Sequence, residues 1–345
     1  NPSTLANPNL QPLRTITYEL GASVGLLENR INLDIAVYNG NTKNQILSRI
    51  IDRSSGFSYS TINVGKVNNK GLEVTMSIIP VQKRSFKWTT NINYSTNTNI
   101  IKQLPDSNVV LYKGPQGGTQ IIAKVGGSMG DLYGIGFQRA PDGQVIYDPT
   151  TGVALLTSDI KYLGHTTPRG RIGIGNQFTY KRFNLNLLFD AQFGGVGYSL
   201  TAYKMAEQGK TTNTLPGRYN GIIGNGVIED VDGKYVKNTV IATDIDEFYR
   251  SMYGANNGEG ATYSTDFIKF REASFNYSLN PKTTKKIGLK KLTVGVYGRD
   301  LIVWSPWPGF DPEFGNFSGT DIIKGFEIGQ FPSSRSLGVN IIVGL

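Results

Sequence analysis

Apolar and polar residues alternate along this chain with a period of two. From Ile16 the even positions read Ile16, Tyr18, Leu20, Ala22, Val24, Leu26, while Thr15, Thr17, Glu19, Gly21, Ser23 and Gly25 fill the odd ones. Successive side chains of a pleated strand leave opposite faces, so the segment predicts one apolar face and one polar, small-residue face. After Glu28-Asn29-Arg30 the pattern restarts with Ile31, Leu33, Ile35 and Val37, which predicts a tight hairpin. The signature returns at Leu72 to Ile78, Phe86 to Tyr94, Ile172 to Tyr180, Phe183 to Phe193, Ala273 to Leu279, Leu292 to Val296 and Leu337 to Leu345. It predicts about nine strands, most of roughly 9–13 residues, where ordinary strands average about 5–6.

The connections alternate as well. Short ones are expected near 27–30, 80–85, 181–182 and 280–290, and long ones over roughly 39–64, 101–169, 195–266 and 303–333. Two connections of about seventy residues are anomalous in a compact soluble domain. Strands of about ten residues, with short turns on one side and long loops on the other, are what a transmembrane β-barrel requires. Lipid offers the backbone no hydrogen-bond partner, so only a closed ladder satisfies it. A soluble β-sandwich also alternates and stays open on pattern alone. Two details favour the barrel. Tyr18, Trp88, Tyr94, Tyr180, Phe183, Phe193 and Tyr277 gather near strand ends on the apolar face, as interface girdles do. An odd strand count entered from the long-loop side cannot close by itself, so the chain is expected to be part of a larger barrel.

Composition narrows the chemistry. There is no Cys and one His, His165, which removes disulfides, thiolate sites and any His-rich metal centre. Lys+Arg minus Asp+Glu is 35 − 26 = +9. The short turns carry Arg30, Lys83, Arg84, Lys181, Arg182, Lys282, Lys285, Lys286, Lys290 and Lys291, which suit anionic headgroups rather than nucleic acid, or simply solubilise the turns.

Several segments resemble a known family. Asn7-Pro8-Asn9-Leu10-Gln11-Pro12 followed by Thr17-Tyr18-Glu19-Leu20-Gly21 is similar to the pattern NPNLKPE…YELG that opens a barrel strand in the SusC-like TonB-dependent outer-membrane transporters of Bacteroidota. Asn63-Val64-Gly65-Lys66-Val67-Asn68-Asn69-Lys70-Gly71-Leu72-Glu73 resembles the family's NVGKVxNKGxE, the most specific match. Leu33-Asp34 through Thr42-Lys43, Phe267 to Tyr277, and Gly298-Arg299-Asp300-Leu301 with Gly309-Phe310-Asp311-Pro312-Glu313 follow in family order. The resemblance implies an all-β fold: the C-terminal portion, about nine strands, of a transmembrane antiparallel β-barrel of 22 strands with long extracellular loops. Residues 1–345 would then be one piece of the barrel domain, with plug domain and TonB box outside this chain. It further implies a cell outer membrane location and active import of oligosaccharide or peptide nutrients, with a SusD-like lipoprotein, TonB-ExbB-ExbD and outer-membrane lipid as partners. A SusC-like scaffold in an assembly or secretion complex, and a soluble β-rich carbohydrate-binding protein, are the alternatives. The final Val343-Gly344-Leu345 departs from the aromatic ending common in such barrels.

No catalytic constellation, cofactor motif or metal-ligand set is expected. His165 sits in the turn-like Gly164-His165-Thr166-Thr167-Pro168, and Gly170-Arg171-Ile172-Gly173-Ile174-Gly175 falls inside a strand pattern rather than at a phosphate loop. Asp230-Val231-Asp232-Gly233 and Asp142-Gly143 read as turns, with too few spaced acids for a calcium loop. Substrate contact is expected from aromatic residues in the long loops: Trp304, Trp307, Phe310 and Asp311 in one, Tyr133 and Phe137 in another, Tyr249 and Tyr253 in a third. Rigid aromatic faces stack on sugar rings or peptide side chains at low entropic cost. For any single one of them, packing of the loops against each other or against a lipoprotein lid is the stronger competing reading. A short helix is expected within 198–208.

Overall fold

The computed structural model describes residues 3–116, 118–313 and 325–345. Nine strands run edge to edge in one antiparallel sheet: β1 (Arg14–Leu26), β2 (Ile31–Ile50), β3 (Tyr59–Lys83), β4 (Phe86–Gln103), β5 (Gly170–Tyr180), β6 (Phe183–Phe193), β7 (Phe267–Ser278), β8 (Lys291–Trp304) and β9 (Ser336–Gly344). Sequence order is spatial order, so every long connection joins neighbours and none crosses the wall. Among the described residues β1 and β9 each pair on one side only.

Register carries the alternation across the whole wall. One row reads Val24, Leu33, Met76, Ile92, Ile174, Phe189, Phe270 and Ile302. The next reads Ser23, Asp34, Thr75, Asn93, Gly173, Asp190, Lys269 and Val303. A slip of one residue anywhere would exchange the two faces, so the burial requirement of each face fixes the pairing. Leu20 is 75% exposed and Leu337 78%, on a face that also carries the exposed Val296, Ile341 and Phe275. Rings meet across strands on this face: Trp88 with Phe178 at 5.5 Å, Phe189 with Phe270 at 4.7 Å, and Phe183 with Tyr277 at 4.8 Å. Three of the polar side chains it carries bond one another, as an apolar medium favours: Trp88 Nε1 and Thr90 Oγ1 both donate to Asn176 Oδ1.

Two connections differ from the sequence expectation. Residues 39–64 do not form a loop: β2 runs on to Ile50 and β3 begins at Tyr59, leaving only a short link with a 3-10 turn at Arg53–Ser55. Above the apolar band both faces are polar or covered by loops, so hydrophobic periodicity stops although the ladder continues. The link at 280–290 contains α3 (Pro281–Lys286), capped by Asn280. The remaining short turns fall as expected, with Leu27, Glu28 and Asn29 in the left-handed region at the first.

The long connections are structured. The 101–169 segment holds Asn108–Lys113, Gln120–Lys124, Asp131–Gly134 and Lys161–His165, paired in one small sheet. The 195–266 segment holds α1 (Leu200–Glu207) and α2 (Ile245–Tyr253). The expected 198–208 helix is therefore α1, with Ser199 Oγ accepting from Ala202 N at its start. The buried apolar residues cluster here and at the top of β2–β4: Leu47, Val67, Ile101, Leu111, Ile121, Leu132, Tyr198 and Phe326 form the largest core. The molecule thus keeps its dry interior among the loops and leaves its wall wet on one face and apolar on the other. Residues 314–324 of the loop expected over 303–333 lie outside the described residues.

Candidate functional site

The candidate functional surface is the polar face of the wall with the loops that roof it. Glycines let side chains lie flat there. Tyr38 crosses Gly71 and Tyr297 crosses Gly338, each so close that a Cβ on the glycine would overlap the ring. Gly295 sits beneath a bridge in which Asn340 Nδ2 donates to Asn276 Oδ1 at 3.0 Å. Asn186 similarly donates to Asn184 Oδ1 and Ser274 Oγ. Such amide ladders add hydrogen-bonding polar groups to this face without adding charge.

Charge concentrates higher, beneath the loops. Lys269 is 2% exposed, and its Nζ lies 2.6 Å from Asp311 Oδ1 and 2.6 Å from Glu313 Oε2. Arg271 pairs with Asp190 at 2.7 Å, approaches Asp300 at 3.6 Å and also contacts Glu313. Two acids of the 305–313 segment are thereby fastened to cations of β7. Burial works to raise the Asp311 carboxyl, but the Lys269 ammonium and the Glu313 and Ser333 hydrogen bonds outweigh it and hold it below the usual carboxylate range. Glu259 does the same for the roof. It receives Arg139 at 2.8 Å, Lys161 at 2.6 Å and the Phe137 N–H at 2.8 Å. Burial opposes its ionisation, yet these three donors keep its carboxyl below the ordinary value. Glu327 accepts from Ser199 Oγ, Thr201 N and Thr201 Oγ1, tying α1 to the 325–330 segment.

The eight sequence-derived contact residues do not converge. Trp304 ends β8 opposite Ile268 on the apolar, outward face, half exposed. Trp307 is buried with its ring edge-on to Tyr263, whose hydroxyl is pushed up to about 12 by burial. Phe137 and Tyr249 are buried in a second loop cluster, with Tyr253 packed against it. Tyr133 meets Tyr162 edge-on at 5.6 Å under the Lys124 ammonium. Phe310 is 60% exposed and, with Trp307, Asp311, Glu327 and Phe331, lines a small cavity of about 140 Å³. Asp311 itself is engaged by Lys269. Alternation alone does not predict this charged latch; its signal in the sequence is Lys269 and Arg271 interrupting an otherwise alternating strand, two charges at positions β7 turns toward the polar face. Asp142 and Asp230 accept hydrogen bonds from their own turns, and His165 Nδ1 lies 3.4 Å from Asp131.

Comparison with known proteins agrees with this architecture. Residues 1–141 match the family model described as TonB dependent receptor-like, beta-barrel. TonB-dependent receptor P3 of Formosa agariphila is 27% identical over 97% of this chain and 35% of its own length. TonB-dependent receptor SusC of Bacteroides thetaiotaomicron is 26% identical over 56% of the chain and 20% of its own. The RagAB peptide transporter superposes with a TM-score of 0.72 at 17% identity, over 98% of this chain and 36% of that one, a likeness of fold. The chain spans about a third of the length of the fuller relatives it matches. Residues 1–141 thus carry a TonB-dependent receptor-like β-barrel domain, and the chain along nearly its whole length is similar to TonB-dependent receptors.

Proposed function

We propose that residues 1–345 form the C-terminal part of the barrel of an outer-membrane importer that takes up oligosaccharides or peptides. The observation that carries this is the wall itself: one face apolar and exposed in register across eight strands, the other polar and glycine-smoothed. A sheet with two open edges cannot reside in lipid, so further strands of the whole protein complete it. A plug and TonB box elsewhere in that protein would couple it to TonB-ExbB-ExbD, and a SusD-like lipoprotein would cover the loops. Relatives named as receptors, SusC among them, support this reading, as does the fold shared with a peptide transporter.

Substrate contact then falls to the exposed Phe310 and, at the half-buried edge left by Lys124 and Tyr162, to Tyr133, while Trp307, Phe137, Tyr249 and Tyr253 shape the loops that carry them. Trp304, on the outward face, anchors the wall at the membrane interface. The test is uptake of a labelled oligopeptide pool and a labelled oligosaccharide pool by cells with and without the full-length gene, each with and without a protonophore. Gene- and gradient-dependent uptake of one pool is expected. Uptake of both pools that ignores deletion would discard the importer reading in favour of an assembly or secretion scaffold.

A further inference from the structure

Three cations stand in consecutive cross-strand register at the long-loop end of the wall. Arg14 on β1 is opposite Lys43 on β2, and Lys43 is opposite Lys66 on β3. They share row parity with Leu20, Val37 and Leu72, so they lie on the outward face, and Lys70 on β3 joins them there. Side-chain bonds confirm the parity. Asn68 Nδ2 donates to Asn39 Oδ1 at 2.6 Å and to Asn41 Oδ1 at 3.0 Å on this face, while Thr15 and Thr42 bond each other on the opposite one. All four cations are exposed. No acidic residue occupies an outward position of β1 from Arg14 to Leu26, of β2 from Ile31 to Lys43, or of β3 from Lys66 to Ile78.

Like charges directly opposite one another weaken a sheet. A row of three without an acid on its face is explained if an anion lies across it. Immediately toward the membrane, Tyr18, Leu20, Val37, Leu72 and Thr96 line an open, apolar depression of about 560 Å³, with Lys70 at its margin. A cationic row directly above an apolar groove matches an amphiphile, with an anionic head above and a hydrocarbon chain below. We propose that this outward face of β1–β4 binds a phosphorylated lipid of the outer leaflet. Its phosphates sit at Arg14, Lys43 and Lys66 within reach of Lys70, and an acyl chain lies along Leu20, Val37 and Leu72. The inference rests on the apolar face meeting lipid and does not depend on what the barrel transports.

The full-length protein is placed in phosphatidylcholine nanodiscs doped either with a bis-phosphorylated acyl glycolipid or with its enzymatically dephosphorylated form. Retained lipid is counted by native mass spectrometry. A surface cation contributes about 1 kcal/mol toward an anionic lipid, so Lys43→Gln is expected to lower retention of the phosphorylated form about fivefold, and Arg14→Gln/Lys43→Gln/Lys66→Gln by more. Retention of the dephosphorylated form should not change. In lipid-free detergent the Lys43→Gln protein should melt no lower than the wild type, because a repulsive neighbour has been removed. Lys181→Gln, at the opposite end of the wall, is the control. Equal retention of the two lipids by the wild type, or an equal loss with Lys181→Gln, would overturn the proposal. So would stabilisation of the wild type by inorganic phosphate alone to the level given by the lipid. Loss of the uptake phenotype would leave this result untouched, and the reverse holds too.

Discussion

At the scale of the residue, space on the wet face is set by glycine and fixed charge is set by pairing. Tyr38 lies over Gly71 with no room for a methyl group. Gly71→Ala must displace the ring or bend β3, and overpacking of this kind costs about 1–3 kcal/mol. The check is the thermal unfolding of the refolded or membrane-extracted protein, with Gly173→Ala, where a Cβ meets nothing within 4 Å, as the neutral comparison. Lys269 is a sharper case. Replacing it with Met removes a buried cation, leaves Glu313 with Arg271 and leaves Asp311 with only the Glu313 N–H and Ser333 hydrogen bonds, a loss of about 3–5 kcal/mol by the logic of broken buried pairs. Faster protease cleavage within 305–313 is expected in Lys269→Met, and an unchanged cleavage rate would show that the latch does not hold that segment. The sequence displayed both residues, yet neither role was legible. An inward lysine in an alternating strand reads as a lumen-facing charge until the loop that meets it, forty-two positions later at Asp311, is seen in place.

At the scale of the element, the loops behave as a folded roof. Glu259 collects Arg139, Lys161 and the Phe137 N–H, so one carboxylate joins segments about a hundred residues apart in sequence. Its folded-state pKa is depressed below the ordinary 4.5. Its contribution is therefore complete above that value and fades as pH falls through the lower, folded one. Glu259→Gln should destabilise the roof at pH 7 by about 1–2 kcal/mol and flatten its stability profile at acid pH. Hydrogen exchange at 135–140 between pH 7 and pH 4 reads both effects, and parallel wild-type and variant profiles would remove the role given to Glu259. The strands of the wall were legible from the period of two, and α1 from the spacing of Leu200, Tyr203 and Ala206. The upper halves of β2 and β3 were not, because polar residues on both faces of a continuing ladder look like a loop. Nor was α2, whose apolar face packs against loop residues brought from 137–156 and from 222–242.

At the scale of the whole molecule, the two faces of the wall should respond oppositely to the same charge. Met76 is on the outward face and Thr75, its neighbour, on the inward one. Met76→Arg places a cation in hydrocarbon, at a cost of about 2–4 kcal/mol near the midplane. Thr75→Arg places it in water. Outer-membrane assembly of the full-length protein, read as heat-modifiable mobility, should fail or weaken for the first and survive for the second. Equal assembly of both would mean that the apolar face does not meet lipid.

What the sequence by itself determined is the wall. A strict alternation leaves a strand one way to satisfy both faces, and motif order added the resemblance to a family. Only the tertiary structure decided which charges meet, which aromatic rings are buried and which remain free. Those outcomes depend on loops seventy residues long returning to particular rows of the sheet. Short-range periodicity carries no record of such returns. Trp304 and Trp307, three positions apart, end on opposite sides of that divide, one on the outer face and one sealed against Tyr263, because a strand ends between them.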